Sequence, residues 1–298
     1  MKHRLSDQLY KKPTHFLLEL IQNADDNTFE TITPTLHIDL CGSSKFSLRV
    51  DCNEVGFDKS NVEALCRIGA STKKSKERKQ GYIGEKGIGF KSVFKIADTV
   101  RISSLGYEFK FDRRSILGMI VPIIEPFPPE ERKVGQTQTY LEIKGIRNYL
   151  VIKSELENLE PEILIFLRKI CRLSISTPDL ECEFRIRRLD NDVDFDGKET
   201  AILTTSKKNK IRKHRYIVVR RIEKDLESDE RREGITKTET VLAFPIDDKM
   251  RPVLRSQNTY AYLPIDDYGF NVSPSQDSCL SSLESYNVHS TSFRATSS

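Results

Sequence analysis

The residues most able to do chemistry lie in three short segments. In ELIQNADD, Glu19 to Asp26, helical periodicity puts Leu17, Leu20, Ile21 and Ala24 on one face. Glu19, Asn23 and Asp26 share the opposite face at spacings i, i+4 and i+7. A carboxylate there can take a proton from water, and an amide oxygen one turn away is a suitable hard ligand for Mg²⁺. The same spacing also suits a solvated polar face ending in a cap.

The second segment is DCNEVGF, Asp51 to Phe57, at the end of an alternating apolar stretch. An acid leaving a strand before a glycine turn can accept a hydrogen bond from an adenine amino group, and Gly56 lets a base approach the backbone. An ordinary acidic turn reads the same way. The third is GYIGEKGIGFKS, Gly81 to Ser92. Gly84, Gly87 and Gly89 precede a short helix predicted over 90–96. Backbone N–H groups exposed at a helix start form a phosphate site, and Lys86 or Lys91 can add a point charge. The segment follows a polar loop rather than a strand and lacks GxxxxGK[ST], which argues against both a dinucleotide-binding turn and a P-loop.

Other elements must position these groups. Residues 36–40 and 46–50 alternate about a Gly-Ser-Ser turn and predict a hairpin. Asp58 can cap a helix carrying Val62, Leu65 and Cys66. Residues 70–80, ASTKKSKERKQ, read as a mobile loop. A second hairpin spans 100–111 with its turn at Leu105-Gly106, a strand covers 137–144, and an apolar helix is expected over 161–173. A change of character near Thr177-Pro178 suggests a second antiparallel unit with strands at 182–189, 214–223 and 239–246. The final residues, rich in Ser, Asn and Thr, read as disordered.

The order of the three segments resembles the GHKL superfamily, which includes gyrase, histidine kinases, MutL and the large heat-shock chaperones. The likeness is closest to the chaperone-like branch of sacsin and the plant NOV-type proteins. THFLLELIQNADDN, NEVGF, GASTK and GYIGEKGIGFKSVFKIAD carry it over His15–Asp112, extending to about Ile175. YAYLPIDDYGF, Tyr260 to Phe270, is similar to a later block of that branch.

The resemblance implies an α+β fold. A two-layer α/β sandwich of the Bergerat ATP-binding type, with a mixed, mostly antiparallel sheet and helices on one face, would span 1–178. A smaller α+β unit would follow over 179–271, and a disordered tail over 272–298. It implies ATP and Mg²⁺ as cofactors. Glu19 would be the general base that orients water, and Asn23 would hold the metal. Asp26 would support the helix. Gly84, Gly87 and Gly89, with Ile88 and Phe90 of the same turn, would wrap the phosphates beside Lys86. Residues 69–82 would form a lid in which Lys73 reaches phosphate. Thr137 would stand near the adenine-reading acid, with Thr139 as the alternative if the register slips by two.

One departure matters. The superfamily usually shows D-x-G-x-G, and here Cys52 stands four residues before Gly56. Strand side chains alternate, so Asp51 and Cys52 cannot both face a base. Two alternatives follow: Asn53 substitutes, or a backbone bulge redirects the Asp51 side chain toward the base.

Composition bounds the rest. The chain has 298 residues, 31% charged, with a net charge of +4. So small a charge, spread over a chain this long, does not by itself argue for a nucleic-acid protein. The basic stretch KKNKIRKHRYIVVRR, Lys207 to Arg221, reads as a solvated loop and strand. Six cysteines form no CxxC pair, and no apolar run is long enough for a membrane span. The expectation is a soluble intracellular protein that binds and slowly hydrolyses ATP to drive lid closure, with client or partner proteins. The alternatives are a nucleotide switch or interaction scaffold without turnover, and a nucleic-acid-associated relative. The tail after Asn271 does not continue the block before it, the expectation for a piece of a longer protein.

Overall fold

The structure is a computed structural model that describes residues 15–42, 45–66, 90–189, 198–208, 210–224, 237–253, 259–260, 264–266 and 292–296. Its helices are α1 (His15–Asp26), α2 (Lys59–Cys66), α3 (Gly145–Glu157) and α4 (Ile163–Phe166). The first seven strands are β1 (Thr35–Cys41), β2 (Ser47–Cys52), β3 (Ala97–Ser104), β4 (Tyr107–Asp112), β5 (Ile123–Ile124), β6 (Thr137–Ile143) and β7 (Arg172–Thr177). Then come β8 (Leu180–Leu189), β9 (Lys198–Lys207), β10 (Lys210–Lys224), β11 (Lys237–Ile246), β12 (Thr259–Tyr260), β13 (Pro264–Asp266) and β14 (Ser292–Thr296).

One 12-stranded sheet runs through the chain in the order β14-β11-β10-β9-β8-β7-β1-β2-β6-β3-β4-β5. This corrects the expected two-layer sandwich followed by a smaller unit. Thr177 and Pro178 lie at the β7–β8 turn. Thr177 pairs with Leu180 across a tight β7–β8 turn, where the Leu180 amide donates to Thr177 Oγ1 at 3.1 Å. The parallel pairing of β1 with β7, Thr35 to Asp39 against Arg172 to Ser176, then attaches β8–β11 to the same sheet. The helix expected over 161–173 is also corrected. Its helical part is Ile163–Phe166, and Arg172 onward is strand. Ile163–Phe166 is a short buried apolar run, which suits either state, whereas RLSIST alternates as a strand does.

The core forms where α1 lays Phe16, Leu17, Leu20, Ile21 and Ala24 against Leu36, Ile38, Val50 and Cys52 of β1 and β2. Alternation in β1 leaves His37 and Asp39 on the other face of the sheet. Asp58 caps α2, with the Asn61 amide donating to Asp58 Oδ1 at 2.8 Å. The two hairpins stand where the sequence places them, β1–β2 and β3–β4. Of the expected tail, Ser292–Thr296 pairs antiparallel with Lys237–Val241, and the other residues lie outside those described. No described helix is long and apolar enough to cross a membrane.

Candidate functional site

Helix α1 holds Glu19 and Asn23 half-buried and Asp26 buried. Burial, and then the neighbouring Asp26 carboxylate, push the Glu19 carboxyl above its ordinary value. The helix packs on a 3₁₀ turn, Phe90–Lys95, that directly follows the glycine-rich segment. Phe90 turns its ring edge toward Phe111, 6.2 Å between centroids. Lys73, Gly84, Lys86, Gly87, Ile88, Gly89 and the expected lid lie outside the described residues.

Support at the end of α1 comes from Asp25, a residue with no role in the sequence reading. Its buried carboxylate accepts the backbone amides of Arg168 at 2.7 Å and of Lys169 and Ile170 at 2.8 Å. Lys169 Nζ donates to the Asp26 carbonyl at 3.1 Å and also to the Asn27 carbonyl. The carbonyls at the helix end are thus satisfied by the Lys169 ammonium, and the amides after α4 by the Asp25 carboxylate.

Asp51 and Cys52 do stand on opposite faces. Asp51 is buried on the face away from α1. There it receives Gln138 Nε2 at 2.8 Å and Lys133 Nζ at 2.7 Å, with Arg49 Nε at 3.1 Å. Arg49 also reaches Asp39 at 3.0 Å and pairs with Glu131. This is a closed ion-pair cluster on the far side of the sheet from Glu19 and Asn23. Asn53 is spent locally: Oδ1 accepts the Thr35 amide at 2.7 Å and Nδ2 donates to the Thr33 carbonyl at 3.0 Å. Its amide pins the start of β1.

The acid on the α1 side is Glu54, absent from the sequence reading. The Val55 amide donates to the Thr28 carbonyl at 2.9 Å and draws this loop to the end of α1. The Glu54 side chain is buried beside Thr137. Burial raises its carboxyl to about 7, with Thr137 and then Lys169 acting in the opposite direction. Among the described residues Oε1, which is buried, has no hydrogen-bond partner. Thr137 pairs directly with Cys52 across β2–β6, and its Oγ1 lies 2.6 Å from Ser104 Oγ. Ser104 Oγ accepts the Phe57 amide at 2.8 Å. Thr139 lies two residues inward, opposite Val50. The signal for Glu54 was the small Cys52. A longer acid two residues on can fold back over a thiol that offers no carboxylate of its own.

Gly56 closes the turn at φ +95°, and a Cβ there would strike the Leu105 side chain. Lys91 points inward. Its Nζ donates to the Leu65 carbonyl at 2.6 Å and to that of Met119. It also sits 4.2 Å from the Phe111 ring centroid, and burial lowers it to about 8. Among the described residues no group of three or more His, Cys, Asp or Glu is placed to hold a metal.

The chain is 48% identical over 124 residues to Protein NO VEIN of Arabidopsis thaliana. The match covers 41% of this chain and spans 4% of the length of that relative. No family model matches the chain.

Proposed function

We propose that this chain binds Mg²⁺–ATP between α1, the glycine-rich turn and the end of β2. The observation that carries this reading is the buried Glu54 carboxyl, which lies beside Thr137 and whose Oε1 has no hydrogen-bond partner among the described residues. An unsatisfied buried oxygen at a strand end is the kind of feature a ligand edge satisfies. A purine amino group is a donor of that kind.

The motif order, which is similar to that of the GHKL superfamily, supports the same reading. The identity with Protein NO VEIN supports the NOV-like part of that resemblance. Asn23 would contribute one oxygen to Mg²⁺, with phosphate oxygens and water completing its shell, a common pattern for this ion. Mg²⁺ supplies charge neutralisation at the phosphates when bound. Glu19, held above its ordinary carboxylate range, would accept a proton from the attacking water. Glu54 and Thr137 would read the base, the role first sought in Asp51. A nucleotide switch without turnover shares the same binding step and differs only at Glu19.

The experiment is titration of the whole chain with a fluorescent ATP analogue, with and without Mg²⁺. Asn23→Ala is expected to remove the Mg²⁺ dependence. Glu19→Ala is expected to keep binding and abolish phosphate release. No binding at about millimolar nucleotide, roughly −4 kcal/mol, would reject the proposal. Binding with equal phosphate release by both proteins would reject the role of Glu19.

A further inference from the structure

Strands β7–β11 expose a second, unrelated surface on the face away from the helices. Alternation and register place its side chains. Arg172 pairs with Arg185, Arg185 with Thr204, and Thr204 with Lys213, a row that crosses β7, β8, β9 and β10. In the next row Arg187 pairs with Ile202, Ile202 with Arg215, and Arg215 with Ile246. Beyond it Leu189 pairs with Thr200, Thr200 with Ile217, and Ile217 with Phe244. Val219 then pairs with Leu242.

The first two rows therefore carry five cations, and the next two are chiefly apolar. Arg185, Arg187, Lys213 and Arg215 are exposed, whereas Ile217, Phe244 and Leu242 are half-exposed. The opposing charge is small. Glu183 serves both Arg172 and Arg185, and among the described residues Arg215 has only Asp248 at 3.4 Å, itself 92% exposed. Among the described residues Arg187 and Lys213 have no ion-pair partner. The inner face of the same strands buries Phe184, Ile186, Ala201, Leu203, Tyr216 and Val218, so the outer charges are not needed to hold the sheet.

We infer that this face docks an acidic amphipathic helix of a partner protein, its carboxylates over the arginine and lysine rows and its apolar edge over Ile217, Phe244 and Leu242. Charge complementarity fixes the sign of the partner. The adjoining apolar rows fix its amphipathic character. Neighbouring strands stand about 4.8 Å apart, so the first row spans about 14 Å, under three turns of helix. A nucleic acid would use the cations and leave the aliphatic rows uncovered, with Phe244 the one aromatic among these facing pairs for a base to stack on. An anionic bilayer calls for protruding apolar side chains, and these lie half-covered within the sheet surface.

The test uses the whole chain and a fluorescein-labelled helical peptide of about 18 residues, Glu on one flank and Leu on the other. The controls are the same peptide with Ser for Leu, the same with Lys for Glu, oligo-dT, and phosphatidylserine vesicles. At about 0.15 M salt the Glu/Leu peptide is expected to bind. Losing its leucines is expected to weaken it by about tenfold or more. The double variant Arg187→Glu, Arg215→Glu should lose Glu/Leu binding by about tenfold and gain the Lys/Leu peptide. Lys213→Glu, a single exposed change, should weaken it in the same direction if the double variant does not fold. Three results overturn the proposal: affinity unchanged in the charge variants, equal binding of the Ser peptide, or tighter retention of oligo-dT or vesicles than of the Glu/Leu peptide.

Discussion

Thr137 Oγ1 lies 2.6 Å from Ser104 Oγ, 33 residues away in sequence, and the same threonine holds down the raised carboxyl of the buried Glu54. The register that pairs Thr137 with Cys52 makes this possible. A polar chain thus runs from the Phe57 amide through Ser104 to Thr137, beside Glu54. It fixes the loop after β2 against β3 and β6.

Glu54 makes stability depend on pH. Its folded value, about 7, lies above the ordinary 4.5. Between those values the folded chain holds a proton that the unfolded chain releases. Stability from this group is therefore full below pH 4.5 and is lost as pH rises through about 7. Ionisation costs about 3 kcal/mol. Glu54→Gln is expected to flatten that part of the profile. Urea unfolding of both proteins at about pH 5 and about pH 8 measures it. An unchanged slope would show that Glu54 does not titrate in this window.

The same proton affects nucleotide binding under the proposed function. A neutral carboxyl both donates and accepts, matching the ring nitrogen and amino group of adenine, whereas the carboxylate only accepts. ATP-analogue affinity is expected to fall as pH rises through about 7. The Glu54→Gln protein, which keeps a donor and an acceptor, should lose most of that dependence. Titrations at several pH values compare the two.

Asp25 is expected to be among the most sensitive positions of α1. Truncation to Ala would strand three amides, those of Arg168, Lys169 and Ile170. The cost is about 3 kcal/mol or more. Asn retains one acceptor oxygen and should cost less. Denaturant midpoints rank the two. Equal loss, or none, contradicts the assignment.

Lys91→Met tests the inward lysine. Methionine fills the apolar stem but leaves the Leu65 and Met119 carbonyls without their donor. A loss of about 1–3 kcal/mol is expected. If Lys91 bound phosphate instead, stability would be unchanged and nucleotide affinity would drop.

Gly56→Ala meets both a φ of +95° and the Leu105 side chain. About 1–3 kcal/mol is expected to be lost. Adding Leu105→Ala should recover the part due to the clash and leave the backbone part, which thermal unfolding of the single and double variants separates.

Several features were legible from the residues. The α1 face bearing Glu19, Asn23 and Asp26, both hairpins, the Asp58 cap and the opposition of Asp51 and Cys52 all follow from local periodicity. Each depends on neighbours within a few positions, where backbone geometry alone decides which side chains share a face. The sheet's extent was not legible. Joining β8–β11 to β1 depends on a parallel pairing of residues 35–39 with 172–176, and no local pattern encodes a partner that remote.

The acids divided along the same line. Sequence supplied the candidate carboxylates, but the strand partners decided which were free. Asp51 became part of an ion-pair cluster because Arg49, Lys133 and Gln138 converge on its face. Glu54 came to face Thr137 because β2 and β6 pair in one particular register. Burial and hydrogen-bond supply are properties of the assembled sheet, so tertiary structure alone could separate the structural acid from the one able to meet a ligand.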